Sequence, residues 1–411
     1  LAAVQAMLPA GTALIEFVLY TPQEIPTLKS LPARYLAYLL TPHGPPRWVD
    51  LGEAAAIDRG VEAWRRSLRG NRIDVKRLAR ELDEKIMRSV RSSLQPEINH
   101  LLIAPDGMLN LIPFAALVDE ENRYLIERFN ISYLTSGRDL LRLQNSPPSR
   151  EAPLVLADPR FDEGPPMLAQ AFQRSPNSAQ PRQLGQSGQS GQSGQIYFRP
   201  LPGTKAEALA IKALMPDASL LLQEQATEAA LKRARAPRIL HIATHGFFLN
   251  DHQIKQTEAG AEDETNAEPR LGRQTAQAQG SLWRSGLALS DGILTALEMA
   301  GLDLWGTRLV VLSACDTGLG EVRNGEGVQG LRRALVLAGS ESQVMSLWPV
   351  TDEGAREFMI DYYKALQRGE GRGEGLRQVQ LRMLHSKERR HPFYWATFIQ
   401  SGEWANLDGK R

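Results

Sequence analysis

One stretch constrains this chain more than any other: Arg308 to Gln329, R-L-V-V-L-S-A-C-D-T-G-L-G-E-V-R-N-G-E-G-V-Q. Leu309 to Leu312 is a short, β-branched apolar run, the mark of a strand buried on both faces. It stops at Ser313-Ala314-Cys315, and Gly318, Gly320, Gly325 and Gly327 then oppose regular structure. Helical spacing returns at Val328, Leu331, Leu335 and Ala338, closed by Gly339. The only cysteine therefore falls where a parallel strand ends, the rim at which open α/β sheets place their chemistry. A single cysteine cannot form an internal disulfide, and a closed metal site needs other ligands nearby. On its own it reads equally well as a small buried hydrophobe.

A second strand-to-loop junction tips that balance. Arg238 to Thr244, R-I-L-H-I-A-T, is another short apolar run, and His245-Gly246 ends it. Histidine-glycine, a long spacer and then Ala314-Cys315 is the order seen in caspase-like cysteine peptidases. A thiol needs a base to become a thiolate, and imidazole supplies one near neutral pH. The two residues are far apart in sequence, yet they can meet where two strands end side by side. Gly246 lets a substrate backbone approach and offers its N–H to an oxyanion.

At these residues the chain resembles the CHAT domains, relatives of caspases and separase found in bacteria, often behind tetratricopeptide repeats. The matching stretches are H-I-A-T-H-G-F-F at 241–248, S-G-L-A-L at 285–289 and D-G-I-L-T-A-L-E at 291–298. L-S-A-C-D-T-G-L-G-E at 312–321, G-E-G-V-Q-G-L-R-R-A at 325–334 and S-L-W-P-V-T-D-E at 346–353 continue the series. Upstream, L-L-I-A-P-D-G at 101–107 and L-T-S-G-R-D-L-L at 134–141 fit the same domain. The resemblance implies a caspase-like α/β fold, a mostly parallel sheet flanked by helices, with a histidine–cysteine dyad at His245 and Cys315. It implies a cysteine endopeptidase of a bacterial regulatory, defence or cell-death pathway. A catalytically silent scaffold that binds partners is the alternative. Oxyanion donors would be the N–H groups of Gly246 and Cys315. The stretch at 346–353 looks like the part of separase where an acid in the substrate pocket selects arginine, and Asp352 is the matching position. Asp316, beside Cys315, is the second candidate acid on the substrate side, with a turn-stabilising role as the competing reading.

Composition narrows the partners. Lys plus Arg number 48 against 47 for Asp plus Glu, a net charge of +1. That balance gives no reason to expect nucleic acid or an anionic membrane. No run reaches the length of a transmembrane helix, and one cysteine fits a reducing cytoplasm. The expected partners are a protein or peptide substrate and further domains of a longer parent chain, tetratricopeptide repeats among them. That the chain starts at Leu1 without methionine agrees with a fragment. No metal or organic cofactor is expected.

In chain order, residues 1–150 read as a structural half, resembling the inactive caspase-like half of separase-type proteases. Thr12 to Tyr20 and Arg34 to Leu40 are strand-like, with Pro22, Pro26 and Pro32 between them. Ile57, Val61, Trp64 and Leu68 make one helical stripe; Val75, Leu78, Leu82 and Ile86 make the next. Leu101 to Ala104 and Ile131 to Leu134 are further strands, and His100 is a tolerated strand residue, not a catalyst. Residues 151–411 read as the catalytic half, with insertions at about 162–198 and 250–280. The first holds Gly185 to Gln195, G-Q-S-G-Q-S-G-Q-S-G-Q, a tether that has no apolar residue to bury, whether engineered or native. After it, Thr204 with Glu207 three residues on has the spacing of a capping box. A helix through Leu209, Ala213 and Leu214 follows, then a strand at Ser219 to Leu222 and a helix from Thr227. Gln343 to Trp348 is a buried strand, and Thr351 caps a helix with Phe358, Met359, Tyr362 and Leu366 on one side.

Two further patterns carry less. His241 and His245 have the spacing of a helical zinc pair, but on a strand they stand about 13 Å apart, so His241 reads as a supporting or packing residue. Gly318-Leu319-Gly320 approximates a dinucleotide loop, but Arg323 occupies the place of the third glycine.

Overall fold

A computed structural model of the protein describes residues 1–25, 27, 29–161, 198, 200–248, 282, 285–313, 326–348 and 351–409; for 247–248 and 326–329 it describes the backbone alone. In chain order the strands are Thr12–Tyr20 (β1), Gln23–Glu24 (β2), Lys29–Ser30 (β3), Arg34–Leu40 (β4), Arg47–Glu53 (β5), His100–Ala104 (β6), Asn130–Tyr133 (β7) and Leu154–Pro159 (β8). Ser219–Gln223 (β9), Ile239–Ala243 (β10), Gly246–Phe248 (β11), Ser285–Leu289 (β12), Gly292–Thr295 (β13), Leu309–Leu312 (β14), Ser342–Ser346 (β15) and Phe398–Gly402 (β16) complete them. The longer helices are Ala54–Arg69 (α1), Val75–Ile86 (α2), Pro202–Leu214 (α3), Glu326–Leu337 (α4), Asp352–Gln367 (α5) and Arg372–Leu384 (α6).

Eleven strands form one sheet in the order β5-β4-β1-β6-β7-β16-β15-β14-β10-β8-β9. Its right-hand block, β15-β14-β10-β8-β9, is parallel throughout, and β1-β6-β7 is parallel as well. This is the mostly parallel, helix-flanked sheet expected of the caspase-like class. Every residue of β8, β10, β14 and β15 is buried, which explains why L-V-L-A in β8 and L-V-V-L in β14 read as continuous apolar runs in place of alternating ones. β16, near the end of the chain, pairs antiparallel with β15 and parallel with β7, and so lies between strands from distant parts of the sequence. The helical stripes are also as expected: Ile57, Val61, Trp64 and Leu68 of α1 and Val75, Leu82 and Ile86 of α2 are buried in one cluster with Phe17, Ile103, Leu240 and Leu312.

Within the eleven-stranded sheet, β5 and β16 are the strands without a strand signal in the sequence. β5 is the half-exposed edge strand R-W-V-D-L-G-E, and β16 carries Gln400 and Ser401 in its middle. The Gly185–Gln195 tether and the 250–280 insertion lie outside the described residues.

His100 is buried in β6, with Nε2 3.2 Å from Ser132 Oγ, as a strand residue should be. Burial lowers its pKa from 6.5 to about 4. Between those values the unfolded chain takes up a proton that the folded chain refuses. His100 therefore costs nothing above pH 6.5, and stability falls as pH drops towards 4, by about 2–3 kcal/mol at pH 4.5. His100→Gln is expected to lose less stability than wild type between pH 7 and pH 4.5 in urea titrations. Equal losses in the two proteins would contradict this.

Candidate active site

The site is assembled at the carboxyl ends of the parallel block, where β8, β10, β14 and β15 end side by side. β10 and β14 are adjacent, with Ile242 opposite Leu312, and the Ser313 N–H donates to the Ile242 carbonyl at 2.9 Å. His245 and Cys315 each lie three residues beyond that rung in the chain. Cys315 and Asp316 themselves lie outside the described residues, as do Gly318, Gly320 and Gly325.

His245 is half-buried and held from two sides. The Ala288 N–H of β12 donates to the His245 carbonyl at 2.9 Å, and Thr244 Oγ1 donates to the Ala288 carbonyl at 2.6 Å. That first bond makes Gly246 and Leu287, which face each other across β11 and β12, a non-hydrogen-bonded pair. The N–H of Gly246 consequently points away from β12. The imidazole sits in a triangle of rings: Phe161 at 5.5 Å and Phe198 at 5.4 Å between centroids, with the two phenyls 5.5 Å apart. Phe198 stacks on the imidazole at 29°. The sequence offered no signal for this cluster, because the two phenylalanines flank the 162–197 segment.

Asp352 is the first residue of α5, whose cap is Thr351 Oγ1, accepting from the Gly354 N–H at 3.2 Å. An acid is favoured there by the partial positive charge of the helix start. Asp352 is half-buried, and its Oδ2 accepts from the Gly203 N–H of α3 at 3.2 Å. Two helix starts thus abut, and only glycine fits: a Cβ on Gly203 would lie 2.2 Å from the Asp352 Cβ. Gly203→Ala is expected to cost about 1–3 kcal/mol in urea unfolding, the range for overpacking a rigid contact. Asp352→Gly in the same chain should restore part of that loss; no loss in the single variant would mean that the helices part freely.

The capping-box reading of Thr204 and Glu207 is overturned. α3 starts earlier, with Leu201 as its cap and Pro202 in its first turn. Thr204 Oγ1 instead accepts from the Asp158 N–H of β8 at 3.0 Å. Glu207 is 1% exposed and points into the protein, where its Oε2 accepts from Ser313 Oγ at 3.2 Å. Its Oε1 lies 3.1 Å from Nε2 of the fully buried His241, close but off the line of a good hydrogen bond. His241 Nδ1 lies 3.0 Å from the hydroxyl of Tyr363 in α5. Burial, with Tyr362 and Glu207 nearby, pushes the Tyr363 phenol well above its usual pKa. It therefore keeps its proton and stays a neutral hydrogen-bonding partner for Nδ1. His241 is the supporting residue its strand position suggested.

The arrangement offers an imidazole at a strand end and, on the same rim, a strand leading to the lone cysteine. The N–H of Gly246 is turned away from its ladder, and the Asp352 carboxylate is held at the start of α5 by Gly203. Among the described residues no cluster of His, Cys, Asp and Glu could hold a metal ion, and no helix is long and apolar enough to cross a membrane.

The CHAT domain family model matches residues 76–403. Human tetratricopeptide repeat protein 28 is 25% identical over 319 residues, 75% of this chain and 12% of its own length. The mouse protein of the same name is 24% identical over 324 residues, with the same shares. The chain thus spans only a small part of the curated relatives it matches. Among solved structures it is similar, at 10% identity and a TM-score of 0.47, to a chain of the Saccharomyces cerevisiae separase–securin complex, covering 97% of this chain and 30% of that one. It is also similar to the Arg-specific cysteine proteinase gingipain R, at 10% identity and a TM-score of 0.39, covering 86% and 75%.

Proposed function

Because the chain belongs to the CHAT domain family, we propose that it is a cysteine endopeptidase working through His245 and Cys315. The observation that supports this reading is the rung Ile242–Leu312 of two adjacent parallel strands, past which His245 and Cys315 each come three residues later in the sequence. His245 takes the thiol proton, and the thiolate attacks the scissile carbonyl carbon to give a tetrahedral oxyanion. The N–H groups of Gly246 and Cys315 receive that charge, the first already turned out of its ladder. The oxyanion collapses, the C–N bond breaks, and the imidazolium protonates the leaving amine. Water, deprotonated by His245, then hydrolyses the thioester and regenerates the thiol. In this reading residues 1–150 are the structural half and 151–411 the catalytic one. Asp352, with Asp316, lies on the substrate side, and repeat domains of a longer chain present the substrate.

A second reading, a partner-binding module that does not hydrolyse, is favoured by one observation: Phe161 and Phe198 lie against the imidazole that a substrate would have to reach. A cleavage profile on a proteome-derived peptide library, read by mass spectrometry for wild type beside Cys315→Ala, separates the two. Cuts made by wild type alone support the peptidase. An identical, uncut library in both leaves the binding module.

A further inference from the structure

We infer that Glu207 is a positioning residue for the nucleophile, tying the carboxyl end of β14 to α3 and so setting where the cysteine loop begins. This rests on reading Cys315 as the nucleophile.

Glu207 faces two fully buried strands, a place where an apolar residue of similar size would ordinarily serve stability as well or better. A carboxylate there must be desolvated, and it is tolerated only where polar partners converge on it. Ser313, just past β14, donates to the Glu207 Oε2 at 3.2 Å, while His241 of β10, itself 3.0 Å from the Tyr363 hydroxyl of α5, stands 3.1 Å from the Oε1, off the line of a good hydrogen bond. Ser313, His241, Tyr363 and Glu207 are all buried. Ser313 stands two residues before Cys315, and His241 four before His245. What such a network supplies, and apolar packing does not, is direction: a hydrogen bond fixes one register of a strand end, whereas methyl groups slide.

The rest of α3 agrees. Residues 203, 204 and 207 share one helix face, and that face meets Asp352 of α5, the end of β8, the middle of β10 and the end of β14 in turn. One helix thereby gauges the strand that carries the base, the strand that leads to the nucleophile, and the candidate acid of the substrate pocket.

The chain has one cysteine, so total alkylation by iodoacetamide reports on Cys315 alone, whether or not any peptide is cut. Alkylation rates, with kcat and KM on a peptide cleaved by wild type, are compared for wild type, Glu207→Leu, Glu207→Gln and Ser313→Ala, with folding checked by circular dichroism. Glu207→Leu and Ser313→Ala are expected to slow alkylation and lower kcat about tenfold with KM unchanged, while Glu207→Gln, which still accepts from Ser313, stays within about threefold of wild type. Should Glu207→Leu fail to fold, Ser313→Ala decides, since it removes one hydroxyl. Folded variants that alkylate at the wild-type rate overturn the proposal, as does a glutamine variant no better than leucine. A wild type that alkylates normally but cleaves nothing overturns the peptidase reading instead, and the alkylation series still judges Glu207.

Discussion

Cys315→Ala and His245→Ala are each expected to leave the chain folded and to cut peptide turnover by roughly 10³–10⁶-fold, with the double variant little worse than either. The thiol is a weak nucleophile until the imidazole takes its proton, and the imidazole has nothing to activate once the thiol is gone, so neither loss adds to the other. Folding should survive in both. His245 is half-buried just past β10, and the hydrogen bonds from Ala288 to the His245 carbonyl and from Thr244 to Ala288 do not use the imidazole. The measurement is kcat/KM on one peptide for the four proteins, alongside melting temperatures. A Cys315→Ala protein that cleaves at the wild-type rate would end the dyad mechanism.

The second large effect concerns the residue before the cut. Among matched peptides with Arg, Leu or Asp at that place, Arg is expected to be preferred by about 10²-fold or more, because a carboxylate left unpaired in a pocket penalises the uncharged alternatives. Asp352 has the capacity for this. One of its oxygens accepts from Gly203, and a carboxylate has lone pairs to spare for a guanidinium. Asp352→Asn is the informative variant, since its amide oxygen can still accept from Gly203 while the charge is gone. It should abolish most of the Arg preference at an unchanged melting temperature. If wild type is indifferent to Arg, or the asparagine variant keeps the preference, Asp352 serves only to seat α3 on α5.

The strands that hold the site were legible because each is buried on both faces, and I-L-H-I-A and L-V-V-L have few other ways to be satisfied. The stripes of α1, α2 and α5 were legible for the same reason, one period of apolar residues per turn. Local polar patterns fared worse. Thr295 with Glu298 and Thr204 with Glu207 have the same spacing, yet only the first pair is a capping box. At the second, Pro202 starts the helix early, and Glu207 turns inward towards strand ends. Leu209, taken as part of the apolar side of α3, is 49% exposed for that reason.

The sequence by itself determined the α/β class, the two strand-to-loop junctions at His245 and Ser313, and the family to which those motifs belong, because each depends on residues close together in the chain. Tertiary structure alone decided what surrounds them. Only folding brings Glu207 to His241 and Ser313, Tyr363 to His241, Gly203 to Asp352, and β16 between β7 and β15. A periodic pattern states which face of an element is buried. Which distant element lies against that face is set by how all the faces pack together, and no local spacing records it.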